Sequence, residues 1–431
     1  MKIHVVFSQS HVNFRYAELS SLCDLLKIDV DLRSVNEKSA TAVLEFVDER
    51  DVLKLLSRAM LIKFCIALFY NSGSYVELEK IVKEDANAHM KMFNNAEVSY
   101  ALRLFSLGKK KKIESCERLC NFAEFLQLDD AKVDLKTPKT EFYLIEEYEN
   151  PTDLEPHNIS FGRLIGEGQG SLKTQYNLQK RVYIGNTTMD PELSFIQSNI
   201  AQVGPGKVVI DPFVGTGGLL LPAAHFGAYV LGTEINYQTA KALGKPSRQG
   251  VAGRTDGESI WSNFVQQNTQ DKLLGIMIAD SSNHGIWHHA TKFDVIVSDP
   301  PYGVREKALK VSKNHKSTES EHFISLPQKE EYVLENTFCD LINLAANFCE
   351  IGGRLSFWFP VVLQTYCEDS IPRHPAMELV HNCEQPLTRK TSRRLLTYRK
   401  IREPKENEVT SITSEGVSEY RKTLFDSVNV I

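Results

Sequence analysis

Four consecutive residues, Asp299, Pro300, Pro301 and Tyr302, are the ones best suited to chemistry in this sequence. They directly follow an apolar run at residues 293–298, which predicts a buried strand of a parallel sheet. The carboxyl ends of such strands form the edge at which open α/β folds bind ligands. A carboxylate, a rigid backbone and an aromatic ring would meet there. These groups are suited to binding a flat base through its amino group while the amino nitrogen acts as a nucleophile.

An exocyclic amine needs these groups because its lone pair is delocalised into the ring. Acceptors that bind its two hydrogens draw electron density back to nitrogen. Asp299 can accept one hydrogen bond and the Pro300 carbonyl the other, since consecutive prolines fix φ and remove competing donors. Tyr302 can stack on the base, which is worth ~1–3 kcal/mol. The predicted catalytic residues are therefore Asp299, Pro300, Pro301 and Tyr302; the alternative is a plain Pro-Pro turn that ends a strand.

A glycine-rich turn follows another predicted strand at residues 207–211. Glycines allow the backbone to approach a ligand closely, and the following helix offers free N–H groups. Counting from Gly215, the sixth position is Leu220, where a dinucleotide-binding turn needs glycine. The Asp211 carboxylate would repel a pyrophosphate but suits an amine, such as that of S-adenosylmethionine. The predicted contacts to this cofactor are Asp211, Phe213, Gly215, Thr216 and Gly217.

Two further carboxylates end predicted strands. Glu234 can accept hydrogen bonds from ribose hydroxyls, and Asp280 can bind the adenine amino group. Each alone is a common residue at a strand end. Together with the glycine turn and the Asp299 motif, they indicate transfer of a methyl group from S-adenosylmethionine to an amine.

The composition limits the alternatives. A chain of 431 residues is too long for one compact core, so two or three domains are expected. A formal net charge of −5 means that any nucleic-acid contact must use local basic patches. Eight cysteines without metal-ligand spacing predict reduced thiols, no metal site and a cytoplasmic protein. The longest apolar stretch, residues 59–70, is shorter than the ~20 residues of a membrane span and is predicted to be a buried helix.

Residues 1–150 are predicted to form an α+β domain without a catalytic constellation. The predicted strands are 3–7, 41–47, 98–105 and 141–146, and the predicted helices are 15–26, 50–70 and 113–126. Four lysines at 109–112 form a basic loop, either a solvated turn or an edge that contacts phosphates.

Residues 151–180 are rich in proline and glycine and are predicted to be a linker. Residues 181–400 alternate strands and helices, which predicts a doubly wound α/β domain. The predicted strands are 207–211, 229–234, 275–280, 293–299 and 353–360, with a helix at 337–348. Residues 245–258 are predicted to be a mobile insertion, and residues 401–431 a partly disordered tail.

With the glycine turn and the Asp299 motif in register, the chain resembles class I amino-methyltransferases, which have a Rossmann-like fold. Further stretches are similar to the tRNA (guanine-10-N2)-methyltransferase family of eukaryotes. They are residues 180–194, 211–218, 245–258 with 261–264, and 392–396. Residues 1–140 resemble, less distinctly, an RNA-binding region of the THUMP type.

This resemblance implies methylation of the N2 amine of a guanosine in tRNA, at position 10, with S-adenosylmethionine as donor. It also implies that the chain is the catalytic subunit of a heterodimer with a small zinc-binding activator. The motif at Asp299 is intact, so nothing indicates an inactive enzyme. From the residues alone, the acceptor stays open between guanine N2, adenine N6, cytosine N4 and a protein glutamine. A non-catalytic tRNA-binding subunit and a dinucleotide-dependent oxidoreductase are the remaining alternatives.

The densest basic cluster lies at residues 389–394, with Arg399 and Lys400 following. It is either a solvated hairpin end or a phosphate contact beside the active site.

Overall fold

The computed structural model describes residues 1–35, 38–85, 89–108, 115–244, 246, 253–303, 308–312, 328–412, 420 and 423. The chain forms two compact units: Met1–Tyr16 with Leu26–Gly170, and Ala17–Leu25 with Ser171–Ile431. The predicted basic loop at 109–112 lies outside the described residues, as do much of the predicted insertion at 245–258 and most of the tail beyond residue 412.

The first unit is built on one mixed sheet. Its elements are β1 (Lys2–Phe7), the two ends of α1 (Arg15–Leu26), β2 (Thr41–Glu45), α2 (Glu49–Leu56), β3 (Ile62–Ser72), α3 (Tyr75–Glu84), β4 (Ser99–Leu107), α4 (Ser115–Ala123), β5 (Lys132–Val133), β6 (Thr140–Glu147) and β7 (Asn158–Glu167). Among the described residues, the strand order is β2-β1-β3-β7-β6-β4-β5. Leu78 of α3 and Phe122 of α4 are buried in one cluster with Phe142 and Phe161 of the sheet. Most of α1 groups with the second unit.

The apolar stretch at 59–70 is a strand, and the prediction of a helix there is wrong. β3 begins at Ile62 and pairs with β1 on one side and β7 on the other. Its residues Phe64, Cys65 and Ile66 are all buried, although they point to alternate faces of the sheet. A strand that is buried on both faces has no polar alternation, so its periodicity does not distinguish it from a buried helix.

The predicted linker also differs from the structure, because it contains β7. This strand pairs with β3 and β6 and belongs to the first unit, which ends at Gly170. Its glycines serve close packing of strands: a Cβ at Gly162 would lie 2.0 Å from the Ala67 carbonyl oxygen. Glycine-rich sequence therefore marked a crowded strand contact, which local composition does not separate from a flexible connector.

The second unit contains the predicted α/β sheet. Its elements are α5 (Leu172–Gln175), α6 (Pro191–Ile200), β8 (Val208–Asp211), α7 (Leu220–His225), β9 (Tyr229–Glu234), α8 (Tyr237–Ala240), α9 (Ile260–Gln266), β10 (Leu273–Ile278), β11 (Phe293–Ser298), β12 (Leu309–Val311), β13 (Lys329–Glu331), α10 (Leu334–Phe348), β14 (Cys349–Val362), β15 (Met377–Pro386) and β16 (Thr391–Lys400). Among the described residues, the strand order of the large sheet is β10-β9-β8-β11-β14-β16-β15.

This sheet confirms the α/β prediction and adds to it. β10, β9, β8, β11 and β14 are parallel neighbours, while β16 is antiparallel to both β14 and β15. Sequence reasoning identified the five parallel strands and missed the last two. Antiparallel strands can be joined by a tight hairpin, so no helical segment in the sequence marks where they begin.

A buried core supports the strand that ends at Asp299. α10 presents Phe338, Leu341 and Ile342, spaced for one helical face, to the neighbouring strand β14. The rings of Phe338 and Phe359 lie 4.8 Å apart in an edge-on contact. Because β14 also pairs with β11, this packing fixes the position of the β11 carboxyl end.

The start of the predicted tail is packed rather than free up to residue 412. Ser411 pairs with Arg373 through backbone hydrogen bonds, and the Thr410 hydroxyl donates to Asn343 Oδ1 at 2.7 Å. The prediction of partial disorder falls mainly on residues outside the described ones. No described helix is both long and apolar enough to cross a membrane.

Candidate active site

Four strand ends meet at one edge of the large sheet. β8 lies between β9 and β11, and β10 lies beyond β9, all four being parallel. Parallel strands place their carboxyl ends at the same edge. The order across this edge is Asp280, Glu234, Asp211 and Asp299, so the structure brings together the four carboxylates that the sequence placed at separate strand ends.

Glu234 holds the glycine turn in place. Its Oε2 accepts the Gly215 N–H at 3.0 Å, and its Oε1 accepts the Asn236 N–H at 2.8 Å. Gly215 and Gly217 have φ angles of 52° and 82°, in the left-handed region that favours glycine. A Cβ at Gly217 would lie 3.0 Å from Ile260 Cγ2. The predicted turn is thus shaped by glycine and tied to the next strand.

A second segment supports this turn from outside the predicted site. The hydroxyls of Thr188 and Thr216 lie 2.9 Å apart, and Thr216 is buried. Asn263 of α9 donates to the carbonyls of Tyr183 and Thr216, and it accepts the Tyr183 N–H at 2.8 Å. Thr188 and Asn263 had no assigned role in the sequence analysis, although both lie in stretches that carried the family resemblance.

Asp211 is a buried carboxylate with little compensation. Its side chain accepts the Phe213 N–H at 2.9 Å, and the residue is 1% exposed. Burial raises the pKa of Asp211 to about 8, although the hydrogen bond from the Phe213 N–H opposes this shift. The nearby charges of Asp299 and Glu234 raise the pKa further. No ion pair joins Asp211 to a described cation. The site therefore fits a ligand that carries positive charge, such as the amine and sulfonium of S-adenosylmethionine.

Asp280 and Phe213 line a cavity beside this turn. The cavity is also lined by Pro212, Leu309 and Leu341, which gives it apolar walls next to the Asp280 carboxylate. Asp280 Oδ1 accepts from the Ser282 N–H at 2.9 Å, and Oδ2 accepts the Val311 N–H at 2.7 Å. Oδ1 also accepts from the Ser282 hydroxyl at 2.7 Å, so a further lone pair is left on Oδ2, and the prediction of an adenine contact stays compatible with these bonds.

The Asp299 motif forms a compact group at the β11 end. The Tyr302 hydroxyl donates a hydrogen bond to Asp299 Oδ1, and Arg393 Nη1 lies 3.8 Å from Asp299 Oδ2. Pro300 is buried, and among the described residues no group donates to its carbonyl. This carbonyl is consistent with the predicted role of holding one amine hydrogen.

Tyr302 makes contacts that the sequence analysis did not predict. Its ring packs edge-on against Tyr420, with centroids 6.2 Å apart. Burial raises the pKa of Tyr302 well above its ordinary value, the Asp299 charge adds to this, and Arg393 opposes it. The hydroxyl therefore stays protonated and donates to Asp299. Sequence reasoning assigned Tyr302 only a face for the base and did not foresee this hydrogen bond.

A buried network lies behind the motif. Trp358 Nε1 donates to Gln197 Oε1 at 2.9 Å. Gln197 Nε2 donates to the carbonyls of Ser356 at 2.8 Å and of Ser298, the residue before Asp299, at 3.4 Å. The Arg393 guanidinium lies 4.2 Å from the centroid of the Trp358 ring. Gln197 and Trp358 had no predicted role, because they lie far from the motif in the sequence, and Arg393 was considered only as part of the basic cluster that could contact phosphates.

The basic cluster at residues 389–394, with Arg399 and Lys400, has two parts. Its first residues form an exposed hairpin end, and most of the others form ion pairs or hydrogen bonds. Arg389 and Lys390 lie exposed between β15 and β16. Arg394 pairs with Glu384 at 3.3 Å, and Lys400 is fully buried, where it donates to the Cys349 carbonyl at 2.9 Å. Most of these cations thus have partners within the second unit. Among the described residues, no group of three or more potential metal ligands occurs.

Comparisons with known proteins assign both units. Residues 1–170 match the family model described as the Tmrp11 THUMP N-terminal domain, and residues 179–315 match the RMKL-like methyltransferase domain. The chain is 37% identical to the tRNA (guanine(10)-N(2))-methyltransferase TRMT11 of Xenopus laevis, over 96% of this chain and 88% of that one. It is 37% identical to the protein of the same name in Homo sapiens, over 92% of this chain and 88% of that one.

A more distant relative has the same named activity. The tRNA (guanine(10)-N(2))-methyltransferase of Saccharomyces cerevisiae is 30% identical over 92% of this chain and 93% of its own length. These matches extend through the Asp299 motif and the glycine turn. The chain therefore belongs to the tRNA (guanine(10)-N(2))-methyltransferase family.

Proposed function

We propose that this protein methylates the N2 amine of the guanosine at position 10 in tRNA, with S-adenosylmethionine as methyl donor. The observation that carries this proposal is the Asp299 carboxylate beside a Pro300 carbonyl to which no described residue donates, at the edge that also holds the glycine turn. The family supplies the acceptor, since its named members act on guanine 10 of tRNA.

The chain's residues position the acceptor and offset its charge. Asp299 and the Pro300 carbonyl accept the two hydrogens of the amine and direct its lone pair toward the methyl carbon. When bound, S-adenosylmethionine supplies a methyl group on a sulfonium, whose C–S bond breaks as the C–N bond forms and whose electron pair stays on sulfur. The nitrogen then loses one proton, which Asp299 can accept. Catalysis is mainly orientation and charge complementarity.

The cofactor residues have separable roles in this proposal. Asp211 would face the methionine amine, Glu234 would accept from the ribose hydroxyls, and Asp280 with Phe213 would hold the adenine. The backbone of Gly215, Thr216 and Gly217 would lie close to the bound cofactor. The buried acidic edge supports this arrangement, because a cationic ligand would offset charges that repel one another.

Transfer of labelled methyl to unmodified tRNA tests the function. The protein is incubated with labelled S-adenosylmethionine and unmodified tRNA, and the product is digested to nucleosides. We expect N2-methylguanosine, and its loss from tRNA in which guanosine 10 is replaced by adenosine. Recovery of methyladenosine or methylcytidine would overturn the assigned acceptor, and methylation of a protein glutamine would move the enzyme to another substrate class.

We further propose a heterodimer with a small zinc-binding activator, docked on the edge strand β10. Among the described residues, β10 pairs with β9 alone, which leaves the hydrogen-bonding groups of its other side for a partner strand. Leu274, Met277 and Ile278 are 60%, 40% and 43% exposed, an apolar surface of the kind that marks protein interfaces. A partner that adds a strand here would cover both features.

A matched pair of variants tests this surface. Leu274 and Ile351 are each 60% exposed on strands of the same sheet. We expect Leu274→Asp to abolish copurification with the coexpressed activator, because it puts a charge into the interface, while Ile351→Asp keeps it. Equal copurification of both variants would exclude β10 as the docking edge.

We also propose that the protein acts in the cytoplasm. Cys23, Cys65, Cys349 and Cys383 are buried free thiols, as is usual in a reducing compartment. Microscopy of a fluorescent fusion tests this proposal, and accumulation in another compartment would contradict it.

A further inference from the structure

Arg393 lies at a junction of the active site. Its Nη1 lies 3.8 Å from Asp299 Oδ2, its Nε donates to Gln385 Oε1 at 2.6 Å, and its Nη2 lies 3.3 Å from the Met189 sulfur. The guanidinium stacks 4.2 Å from the centroid of the Trp358 ring. Each nitrogen of this planar group and one of its faces therefore has a defined neighbour, which fixes its orientation.

The support for Arg393 is itself anchored to the catalytic strand. Trp358 is fully buried and donates to Gln197, whose amide in turn binds the Ser298 carbonyl immediately before Asp299. Arg393 and the backbone that carries Asp299 are thus held by one hydrogen-bonded frame. A change at Arg393 would alter the placement of the carboxylate more than the fold around it.

The positive charge of Arg393 lies at a sheet edge that carries several carboxylates. Asp211 lies near both Asp299 and Glu234, and the charges of these carboxylates repel one another along the edge. A guanidinium beside Asp299 favours its charged form, which is the form that accepts a hydrogen bond from an amine. The Tyr302 hydroxyl binds the other carboxylate oxygen, so the group is held on both sides.

The burial of Arg393 argues against a role as a tRNA phosphate contact. Its side chain is 14% exposed, and its donors are directed at Asp299, Gln385 and Met189. A phosphate contact needs donors that reach solvent, as those of the exposed Arg389 do. Arg393 therefore differs in kind from the tip of the basic hairpin.

We propose that Arg393 is a positioning residue, which fixes the Asp299 carboxylate in the charge state and orientation needed for methyl transfer. This inference rests on the proposed function. It predicts that Arg393 acts on the transfer step and leaves the binding of tRNA and of S-adenosylmethionine unchanged.

Three variants test the inference with the full-length protein, coexpressed with the activator. Arg393→Met removes the charge at similar length, Arg393→Lys restores a charge without the planar fork, and Arg394→Met is the control. Arg394 is the adjacent residue on the same strand, its side chain is also 14% exposed, and it pairs with Glu384 instead of Asp299. Steady-state methylation of unmodified tRNA gives kcat and KM, and calorimetry gives the Kd of S-adenosylmethionine.

We expect Arg393→Met to lower kcat about 100-fold, the size typical of a misplaced catalytic group, with KM and Kd within about twofold of the wild type. Arg393→Lys should recover part of kcat, and Arg394→Met should match the wild type. Thermal melts of the two Arg393 variants separate this effect from loss of fold, because equal Tm with unequal kcat has no purely structural explanation.

Two results would overturn the inference. A rise in KM for tRNA with unchanged kcat would make Arg393 a phosphate contact, and equal losses in both Arg393 variants and in Arg394→Met would make it a structural residue. A wild-type enzyme that transfers no methyl to tRNA would instead defeat the proposed function, and this inference with it.

Discussion

The ends of β8 and β11 carry the same chemical group in opposite electrostatic settings. Asp211 ends β8, is 1% exposed and has a pKa raised to about 8 by burial. Asp299 follows β11, has a side chain that is 21% exposed, and lies against Arg393 and the Tyr302 hydroxyl. Asp211 therefore has no paired cation among the described residues, while Asp299 is paired with Arg393.

This difference indicates which ligand each end receives. A buried carboxylate without a cation is costly until a positively charged ligand arrives, so the β8 end suits the charged cofactor. A carboxylate that is already paired gains little from a second cation, but it still accepts a hydrogen bond from a neutral amine. The β11 end therefore suits the uncharged base, and the two ligands are sorted by charge along a single sheet edge.

The largest expected effect comes from Asp299. We expect Asp299→Asn to lower kcat for tRNA methylation about 100- to 1,000-fold, because the amine loses its charged acceptor. The Kd of S-adenosylmethionine, measured by calorimetry, should stay close to that of the wild type. An equal loss of cofactor affinity would show that the two ends do not have separate ligands.

Asp211 should give the opposite pattern. We expect Asp211→Asn to weaken S-adenosylmethionine binding by about 2 kcal/mol or more, which is roughly 30-fold in Kd, because a buried charge pair is lost. Activity at saturating cofactor should return in large part. A variant that binds the cofactor normally but is inactive would reverse the assignment of the two carboxylates.

The pH dependence of stability sharpens the same contrast. Asp211 has a folded-state pKa of about 8 against an ordinary value of 3.8, so the folded protein binds more protons between these values. Its contribution to stability is complete below about pH 4 and falls as pH rises toward about 8. We expect the Tm of ligand-free Asp211→Asn to exceed that of the wild type by a margin that grows from pH 5 to pH 8, read by scanning calorimetry. A constant margin would mean that Asp211 is ionised throughout.

The smallest expected effect concerns the glycine turn that follows β8. We expect Gly217→Ala to cost ~1–2 kcal/mol of stability from its left-handed φ, with a further loss of cofactor affinity because its Cβ would crowd Ile260. Gly206→Ala is the control, since φ there is +76° and no atom lies within 4 Å of the added Cβ. Chemical denaturation should show strain in both variants, and calorimetry should show weaker cofactor binding in Gly217→Ala alone. Equal cofactor affinity in the two would place the ligand away from the turn.

The sequence predicted the strands that end at the site far better than the strands that pack around them. β1, β4, β6, β8, β9 and β11 were located because apolar runs and turn residues are local signals. The stretch at 59–70 was taken for a helix, and β7 for a linker, because burial on both faces and close strand packing are properties of the assembled sheet. β15 and β16 were missed because an antiparallel hairpin needs no helical crossover to signal it, and with them the position of Arg393 was missed.

The sequence by itself determined the chemical groups of this protein: the Asp299 motif, the glycine turn, and the carboxylates at Asp211, Glu234 and Asp280. Only the tertiary structure decided their order across the sheet, because which strands become neighbours depends on long-range pairing that no local pattern encodes. That order puts Asp211 beside Asp299, and the added strand β16 brings Arg393 to Asp299. The proposed division of one acidic edge into a site for a cation and a site for a neutral base rests on that arrangement.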